Sequence, residues 1–491
     1  MRLRNLTCCA AGVVAVALMP CRAIAQENSP KHHQYKLVDV GTFGGPNSVY
    51  NVFTRIGRND GTIVGAANTA DPDLFAPYCF DSTCFVQHAW KWSHGVLTDL
   101  GVLRDGYSSY TNAINSRGLI VGQSQNGELD PLTGTPVLYL ATVWDHGKIK
   151  NLGTFGGGNS IAIAATDQNF VMGAAENGIP DTTGFTGFDG VSQIRAFGWN
   201  GGAIFDLGTL GGTGAFPSDM NNRGQIVGNS PTTSISGPFG VAPTAPFLWE
   251  KGKMRNLGSL GGNFGGANAI NNRGQVIGDS NLEGDLTTHP FLWEHGKMRD
   301  LGTLGGSFAL AEWLNDVGEV IGYSNTVGDQ TIHAFRWRHG SMTDLETVNG
   351  DNASNAFGIN VRGQIVGQSW FSDGQQVTQS HAFLWDKGGP MVDLNTLVPM
   401  DSNLNLFEAD FITNRGEIVA VGFTPNGDVH TAILIPRSDP DPFDPGRTAS
   451  IETFASPNSA LPSKLQTALQ AKVAQYYRRG TSRRPGALTT H

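Results

Sequence analysis

The stretch Ala269-Ile270-Asn271-Asn272-Arg273-Gly274-Gln275-Val276-Ile277-Gly278, followed by His289-Pro290-Phe291-Leu292-Trp293 and Lys297-Met298-Arg299-Asp300-Leu301-Gly302, decides the fold. Its apolar residues stand in short runs bounded by Asn and Gly, which reads as brief strands separated by turns. Asn271-Asn272-Arg273-Gly274 is a tight turn. An Asn side chain at its first position can bond the backbone two residues on, and Gly at its fourth takes a positive φ without a Cβ clash. Glu294-His295-Gly296-Lys297 is a second turn, joining the aromatic strand to the Asp-Leu strand. Two hairpins, hence four strands, fill one such unit.

The unit recurs along the chain. The Ile/Val-Gly element ends at Gly65, Gly122, Gly173, Gly228, Gly278, Gly322, Gly367 and, stretched by an insertion, Gly422. The Asp/Asn-Leu element is centred on Asp39, Asp99, Asn151, Asp206, Asn256, Asp300, Asp344 and Asp393. The aromatic element closes on Trp92, Trp144, Trp199, Trp249, Trp293, Trp337 and Trp385 and degenerates at His430-Thr431-Ala432-Ile433-Leu434. A period of about 44 to 57 residues is that of four-stranded propeller blades, none of which can bury its faces alone. The expected fold is therefore all-β: a β-propeller of eight four-stranded blades over residues 35–436. The first Asp-Leu strand, Tyr35 to Val40, has no blade before it, and the last unit lacks one. Either that first strand completes the last blade and closes the ring, which is the preferred reading, or every blade starts with it.

Composition agrees. Gly is 65 of 491 residues and charged residues are 15%, a balance suited to strands and turns rather than to helices. A net charge of −9 argues against a nucleic-acid surface, which needs clustered Lys and Arg. Arg2 and Arg4, an apolar run over 10–18 and Ala23-Ile24-Ala25 read as a secretory signal peptide over residues 1–25, too short to span a membrane. Cys21 as a lipidated residue is the rival reading. No later stretch is apolar enough to cross a bilayer. Cys79 and Cys84 alone remain after cleavage and are expected to form a disulfide closing a small loop.

The elements His381-Ala382-Phe383-Leu384-Trp385 and His333-Ala334-Phe335-Arg336-Trp337, with Asp300-Leu301-Gly302-Thr303-Leu304-Gly305-Gly306, resemble the HAF repeat of exported bacterial proteins. The resemblance covers residues 35–436. It implies an extracellular or periplasmic β-rich repeat protein with no shared activity, so it brings no catalytic residues.

The recurrent residues read as structural. His88, His289, His333, His381 and His430 share one strand position and are expected to repeat one packing or hydrogen-bonding role rather than to ring a metal. The repeated Trp set reads as inter-blade core rather than as a sugar-stacking row. Gly-Gly pairs such as Gly305-Gly306 lack the following Lys-Ser/Thr of a phosphate loop. Asp71-Pro72-Asp73 is a weak calcium candidate, because calcium needs six to eight oxygens. No catalytic set, metal site or cofactor is expected.

Residues that break the repeat carry the functional expectation. Long segments at 66–87, 174–194 and 229–244 join the same pair of strands, so all should emerge on one face. Phe75, Tyr78, Trp313 and Trp370 are the candidate ligand-binding residues, as aromatic groups on rigid loops are common anchors. Beyond the repeat, residues 437–460 read as a Pro-rich linker. Residues 461–491 read as a basic helical tail, with Leu465, Leu469 and Val473 on one face. The expected function is an exported binding module that presents its loop face to a glycan or an envelope protein. A glycan-active hydrolase or lyase and a purely structural envelope protein are the rivals. Non-repeating carboxylates at the mouth of the axial channel would favour the enzyme.

Overall fold

The computed structural model describes residues 34–437 except Phe53, Pro77, Tyr78, Asp81, Ser82, Pro238, Phe239, Asn349 and Gln375. The expected signal segment, linker and helical tail lie outside the described residues.

Among the described residues, strands pair as eight antiparallel four-stranded units, the blades of a β-propeller, with blades 4, 5 and 6 joined into one sheet by parallel bridges at Thr244–Phe264 and Thr288–Phe308. Blade 1 runs Gly44–Val49, Ile63–Pro72, Phe85–Ser93 and Val96–Asp99. Blades 2, 3 and 4 start at Ser109–Ile114, Ser160–Ala165 and Phe216–Met220, and blades 5, 6 and 7 at Gly261–Ile270, Gly305–Leu314 and Ala353–Ile359. First strands of adjacent blades touch one another, so they line the inside of the ring. Blade 8 takes Asn405–Ile412, Ile418–Phe423 and Val429–Pro436 from the end of the chain and its outermost strand, Tyr35–Asp39, from the beginning. Tyr35 lies opposite Pro436 and Asp39 opposite Ala432, so the ring closes non-covalently between its two ends, the preferred of the two readings.

Six of the blade-to-blade interfaces have a core of their own, while the two that flank blade 1 merge into one larger cluster that also takes residues of blades 6 and 7. Val227 and Leu248 of blade 4 pack with Val276, Phe291 and Trp293 of blade 5. Ile277 and Leu292 of blade 5 pack in turn with Val320, Phe335 and Trp337 of blade 6. The alternation of strand side chains sends successive residues to opposite neighbours, so every blade packs against both. The recurrent Trp residues, nearly enclosed throughout, belong to these interfaces.

The polar repeat positions stitch neighbouring blades at the turn end of the strands and brace each blade internally at the other end. In the turn between first and second strands, the Asn221, Asn271, Asn315 and Asn360 side chains each donate to a carbonyl of the next blade's turn, those of Asn271, Asn315, Asn360 and Thr413, at 2.9–3.1 Å. One residue on, Asn222 N–H donates to Asn272 and Asn272 N–H to Asp316. This necklace is why an Asn-rich turn recurs. Four of the five recurrent histidines also share one role. His88, His289, His333 and His430 each share a hydrogen bond with the Asp of the fourth strand (Asp99, Asp300, Asp344, Asp39) at 2.8–2.9 Å, and Arg195 replaces them opposite Asp206. His381 departs from the pattern and pairs with Asp351.

Candidate functional site

Second and third strands are joined on one face, where the blade-to-blade connections also run: Phe43, Phe155 and Gly212 in those connections bond Asn68, Glu176 and Pro231 at the ends of second strands. In blades 5–8 these joints are short, residues 283–287, 327–331, 373–376 and 424–428. In blades 1–4 they are 73–84, 125–139, 181–191 and 232–243. Strands thus extend further into the repeat-breaking segments than the sequence suggested, and a fourth long loop, 125–139, joins the set.

The four long loops are held by side-chain caps and lean on one another. Asp73, one of the weak calcium candidates, accepts from Phe75 N–H and Phe80 N–H and so organises the loop closed by the Cys79–Cys84 disulfide. Phe75 meets Tyr107 edge-on with centroids 5.5 Å apart. Phe80, Tyr139 and Phe188 form a chain of tilted and edge contacts across blades 1 to 3, at 5.6 and 5.5 Å. Asp181 accepts from Thr183 and Phe185 N–H and from the Thr183 and Thr213 hydroxyls. Burial alone would raise the Asp181 carboxyl, but these bonds hold it below the usual range. Ala242 N–H and the Ser236 hydroxyl then donate to the Thr183 and Thr182 carbonyls, tying loop 4 to loop 3.

Between loops 2 and 3, Asp130, Glu176 and Asp189 bring carboxylate oxygens within 4.8 Å of one another. Three hard oxygen donors are part of what a divalent cation takes. All three are also joined by hydrogen bonds. Glu176 accepts from Asn159 and Asp189 N–H, Asp130 from Leu132 and Thr133 N–H, and Asp189 from Val191 and Ser192 N–H. Burial pushes the Glu176 carboxyl above its usual range, with the Asp189 charge adding to it and the N–H donors opposing. The cluster draws on three separate segments, so no sequence spacing announces it.

Of the four expected ligand-binding residues, the three that are described do not form one site. Phe75 is half-buried on loop 1. Tyr78 lies outside the described residues. Trp370 does not open a loop: it is an enclosed core residue of the second strand of blade 7, with no exposed surface to offer a ligand. Trp313 sits half-buried on the innermost strand of blade 6, where the Arg55 guanidinium lies 6.0 Å from its ring. Arg55 also reaches blades 4 and 5, pairing with Asp219 at 3.5 Å and donating to the Ile270 carbonyl at 3.2 Å. It comes from the enlarged first turn of blade 1 and thereby bridges the inside of the ring. Sequence reading missed Tyr107, Tyr139 and the loop at 125–139, although that loop breaks the repeat after Gly122 as the other three do elsewhere.

Non-repeating carboxylates do stand on innermost strands, but they are occupied. Asp219 is held by Arg55, and Asp410 accepts from the Tyr50 hydroxyl at 2.5 Å. Burial, then the Asp410 charge and its hydrogen bond, push that hydroxyl well above its usual range.

The two faces differ in charge. Six of the eight turns between first and second strands carry an Arg: Arg58, Arg117, Arg223, Arg273, Arg362 and Arg415. The eight joints between second and third strands carry no Lys or Arg and expose Glu128, Glu283, Asp329 and Asp373, beside Asp71 at the end of its strand. Among the blade-to-blade connections of the described residues, Arg104 is the only such cation. The same face exposes aliphatic groups. Leu74 (70%), Leu129 (62%), Ile179 (54%), Ile235 (74%), Leu286 (78%) and Val327 (75%) supply one for each of blades 1 to 6, at or beside the joint.

No protein-family model matches this chain, and no curated protein matches it. Solved structures similar to it are propeller proteins of low identity. The acylaminoacyl peptidase of Pyrococcus horikoshii is 11% identical over 80% of this chain and 58% of its own, with a TM-score of 0.39. The chain thus spans less than two thirds of that peptidase. The β-propeller domain of the trilobed protease from Pyrococcus furiosus is 10% identical over 70% and 98%, TM-score 0.39. A putative TolB from Agrobacterium tumefaciens is 13% identical over 59% and 95%, TM-score 0.33. The strand pairing itself makes this chain a β-propeller; the likenesses add nothing about its chemistry.

Proposed function

We propose that the chain is an exported binding module of the HAF-repeat kind, and that its loop face takes a basic, apolar segment of an envelope protein. The observation that carries this reading is the segregation on that face: exposed aliphatic groups around six successive blades, set among carboxylates, with Arg104 as the lone cation of its connections. Exposed apolar groups gathered on one face mark interaction sites, and complementary charge sets orientation and encounter rate. The opposite face is made of repeat turns, many bonded to one another, and exposes fewer aliphatic groups, Val96, Val317 and Val361. A neutral glycan is the second reading, supported by the edge-on Phe75–Tyr107 pair on a capped loop.

The test is retention by the immobilised full-length protein. The probes are basic amphipathic peptides, acidic peptides of the same apolar pattern and neutral polysaccharides, with reducing or unsaturated ends assayed in parallel. Retention of the basic peptides, lost at about 0.5 M salt where screening is nearly complete beyond contact and in Leu286→Glu, is expected. Retention of polysaccharides alone moves the second reading forward. Release of sugar ends overturns both in favour of an enzyme, and no retention at all leaves a structural envelope protein.

A further inference from the structure

The last described residue, Arg437, donates its N–H to the Gln34 carbonyl at the outer edge of blade 8. Pro436 lies beside Gly416, in the turn between the first two strands of that blade. The chain therefore leaves the propeller on the Arg-bearing turn face. Fifty-four residues follow, 438–491. Within 461–491 stand Lys464, Lys472, Arg478, Arg479, Arg483 and Arg484, and no Asp or Glu. Leu465, Leu469 and Val473 recur at helical spacing in the same stretch. This is a basic, apolar segment covalently attached to a molecule with an acidic, apolar face.

We propose that residues 461–484 of the chain cover the loop face of their own propeller. The inference rests on the reading of that face given above and names an occupant for it. Charge decides between the two faces. The turns beside the exit point carry Arg362, which repels the segment, and Arg415, whose charge is paired with Glu417, whereas the loop joints of blades 5 to 7 offer Glu283, Asp329 and Asp373. Reach permits the crossing. The 23 residues of 438–460, counted as a random coil, would span about 25–30 Å root-mean-square, and a blade strand of eight residues is about 26 Å long. A tether of that length holds its end at an effective concentration of about millimolar, so even weak complementarity keeps the face occupied. The aliphatic groups at Leu286 and Val327 supply the apolar half of the contact. The segment then competes with any external ligand for the same surface, and the ligand must displace it.

The test uses the full chain, prepared as an equal mixture of unlabelled and 15N-labelled protein and treated with a zero-length carbodiimide cross-linker. Expected are links from Lys464 or Lys472 to Glu128, Glu283, Asp329 or Asp373 within single chains, lost at high salt. Trypsin should cleave at Arg478 and Arg479 about tenfold faster in Leu465→Glu/Leu469→Glu than in the parent, the factor that corresponds to one decade in the docking equilibrium. Links only between labelled and unlabelled chains, links to the turn-face groups Asp145, Glu250 or Glu294, or no links with unchanged trypsin rates each overturn the proposal. A Lys464→Glu/Lys472→Glu/Arg478→Glu/Arg479→Glu chain, offered an unrelated Lys/Leu amphipathic peptide, separates the two failures. If that peptide binds while the parent chain gives no intramolecular links, the tail assignment falls and the reading of the face stands. If neither occurs, both fall.

Discussion

Blades 1–4 and blades 5–8 share one strand plan and differ in what joins the second strand to the third. In the second half that joint is a short turn satisfied mostly within its own blade, the bond from the Thr331 hydroxyl to the Asn352 carbonyl of the next connection apart. Asp285 accepts from Asn263, and Asp329 accepts from the Ser307 N–H and hydroxyl. In the first half the joints are two to three times as long and satisfy one another, through the Tyr139 ring, the Asp130–Glu176–Asp189 cluster and the bonds between loops 3 and 4. The ring is built alike in both halves. Blade-to-blade packing is thus independent of the loops, and the loops form a second, laterally coupled layer on top of it.

The sharpest test of that independence is in the core. Phe291→Ala, between blades 4 and 5, and Phe197→Ala, between blades 2 and 3, each remove an enclosed ring and should each cost about 3–5 kcal/mol in urea unfolding. A Phe197 cost under half that of Phe291 would show that the long-loop half is packed differently after all. A smaller effect comes from Asp181→Ala, which leaves four donors to be satisfied by water. A loss of about 2 kcal/mol is expected, with faster hydrogen exchange spreading across 181–191 and 232–243. Asp329→Ala, its exposed counterpart, should loosen only 327–331 and its bonded neighbours Ser307 and Asn325, all within blade 6. Exchange confined to loop 3 in Asp181→Ala would break the claim of lateral coupling.

Smaller again are the turn substitutions. Asn115→Ala and Asn271→Ala each delete an inter-blade bond, to Thr166 and Asn315 respectively, and should each lower stability by about 1 kcal/mol. Equal values on the two halves would confirm that the necklace is uniform. The smallest effect is in the pH dependence of the loop layer. Asp181 titrates below the usual range in the fold, so its contribution is present above the ordinary Asp pKa and lost as pH falls through the depressed value. Glu176 titrates above its usual range, so its ionisation penalises the fold at neutral pH, and acid relieves that penalty. Glu176→Gln should therefore be neutral to stabilising at pH 7 and should steepen the loss of stability below pH 5, read by thermal unfolding at a series of pH values.

The ring was legible because its physics repeats. Asn271 and Trp293 each have counterparts that do the same task in other blades, and repetition turns a packing requirement into a visible period. The histidines were legible for the same reason, although only the folded blade shows that the partner of four of them is the fourth-strand Asp. The loop layer was not legible. Asp130, Glu176 and Asp189 meet once, from segments with no common spacing. Trp370 resembles a loop aromatic in sequence yet continues a strand into the core, because the second strand of blade 7 runs on to Ser372. Trp313 departs from the small residues at its position because it faces Arg55, a contact across the ring that no local pattern encodes.

The seam in blade 8 sets an order of events. Tyr35–Asp39 is made first and finds its partner, Val429–Pro436, last, with His430 and Asp39 separated by 391 residues. Closing a chain loop of that length costs about 5 kcal/mol beyond a fixed constant, and until it closes blade 8 has an open edge ready to accept any extended strand. The stability of the seam also varies with pH. The His430 ring is held above its usual pKa by its hydrogen bond to Asp39, against desolvation, with the Asp39 and Asp428 charges assisting. Its contribution is complete in mild acid and fades as pH rises through that elevated value. A nascent chain therefore carries its latch at one end and its catch at the other, and the finished molecule should fasten more firmly in acid surroundings than in alkaline ones.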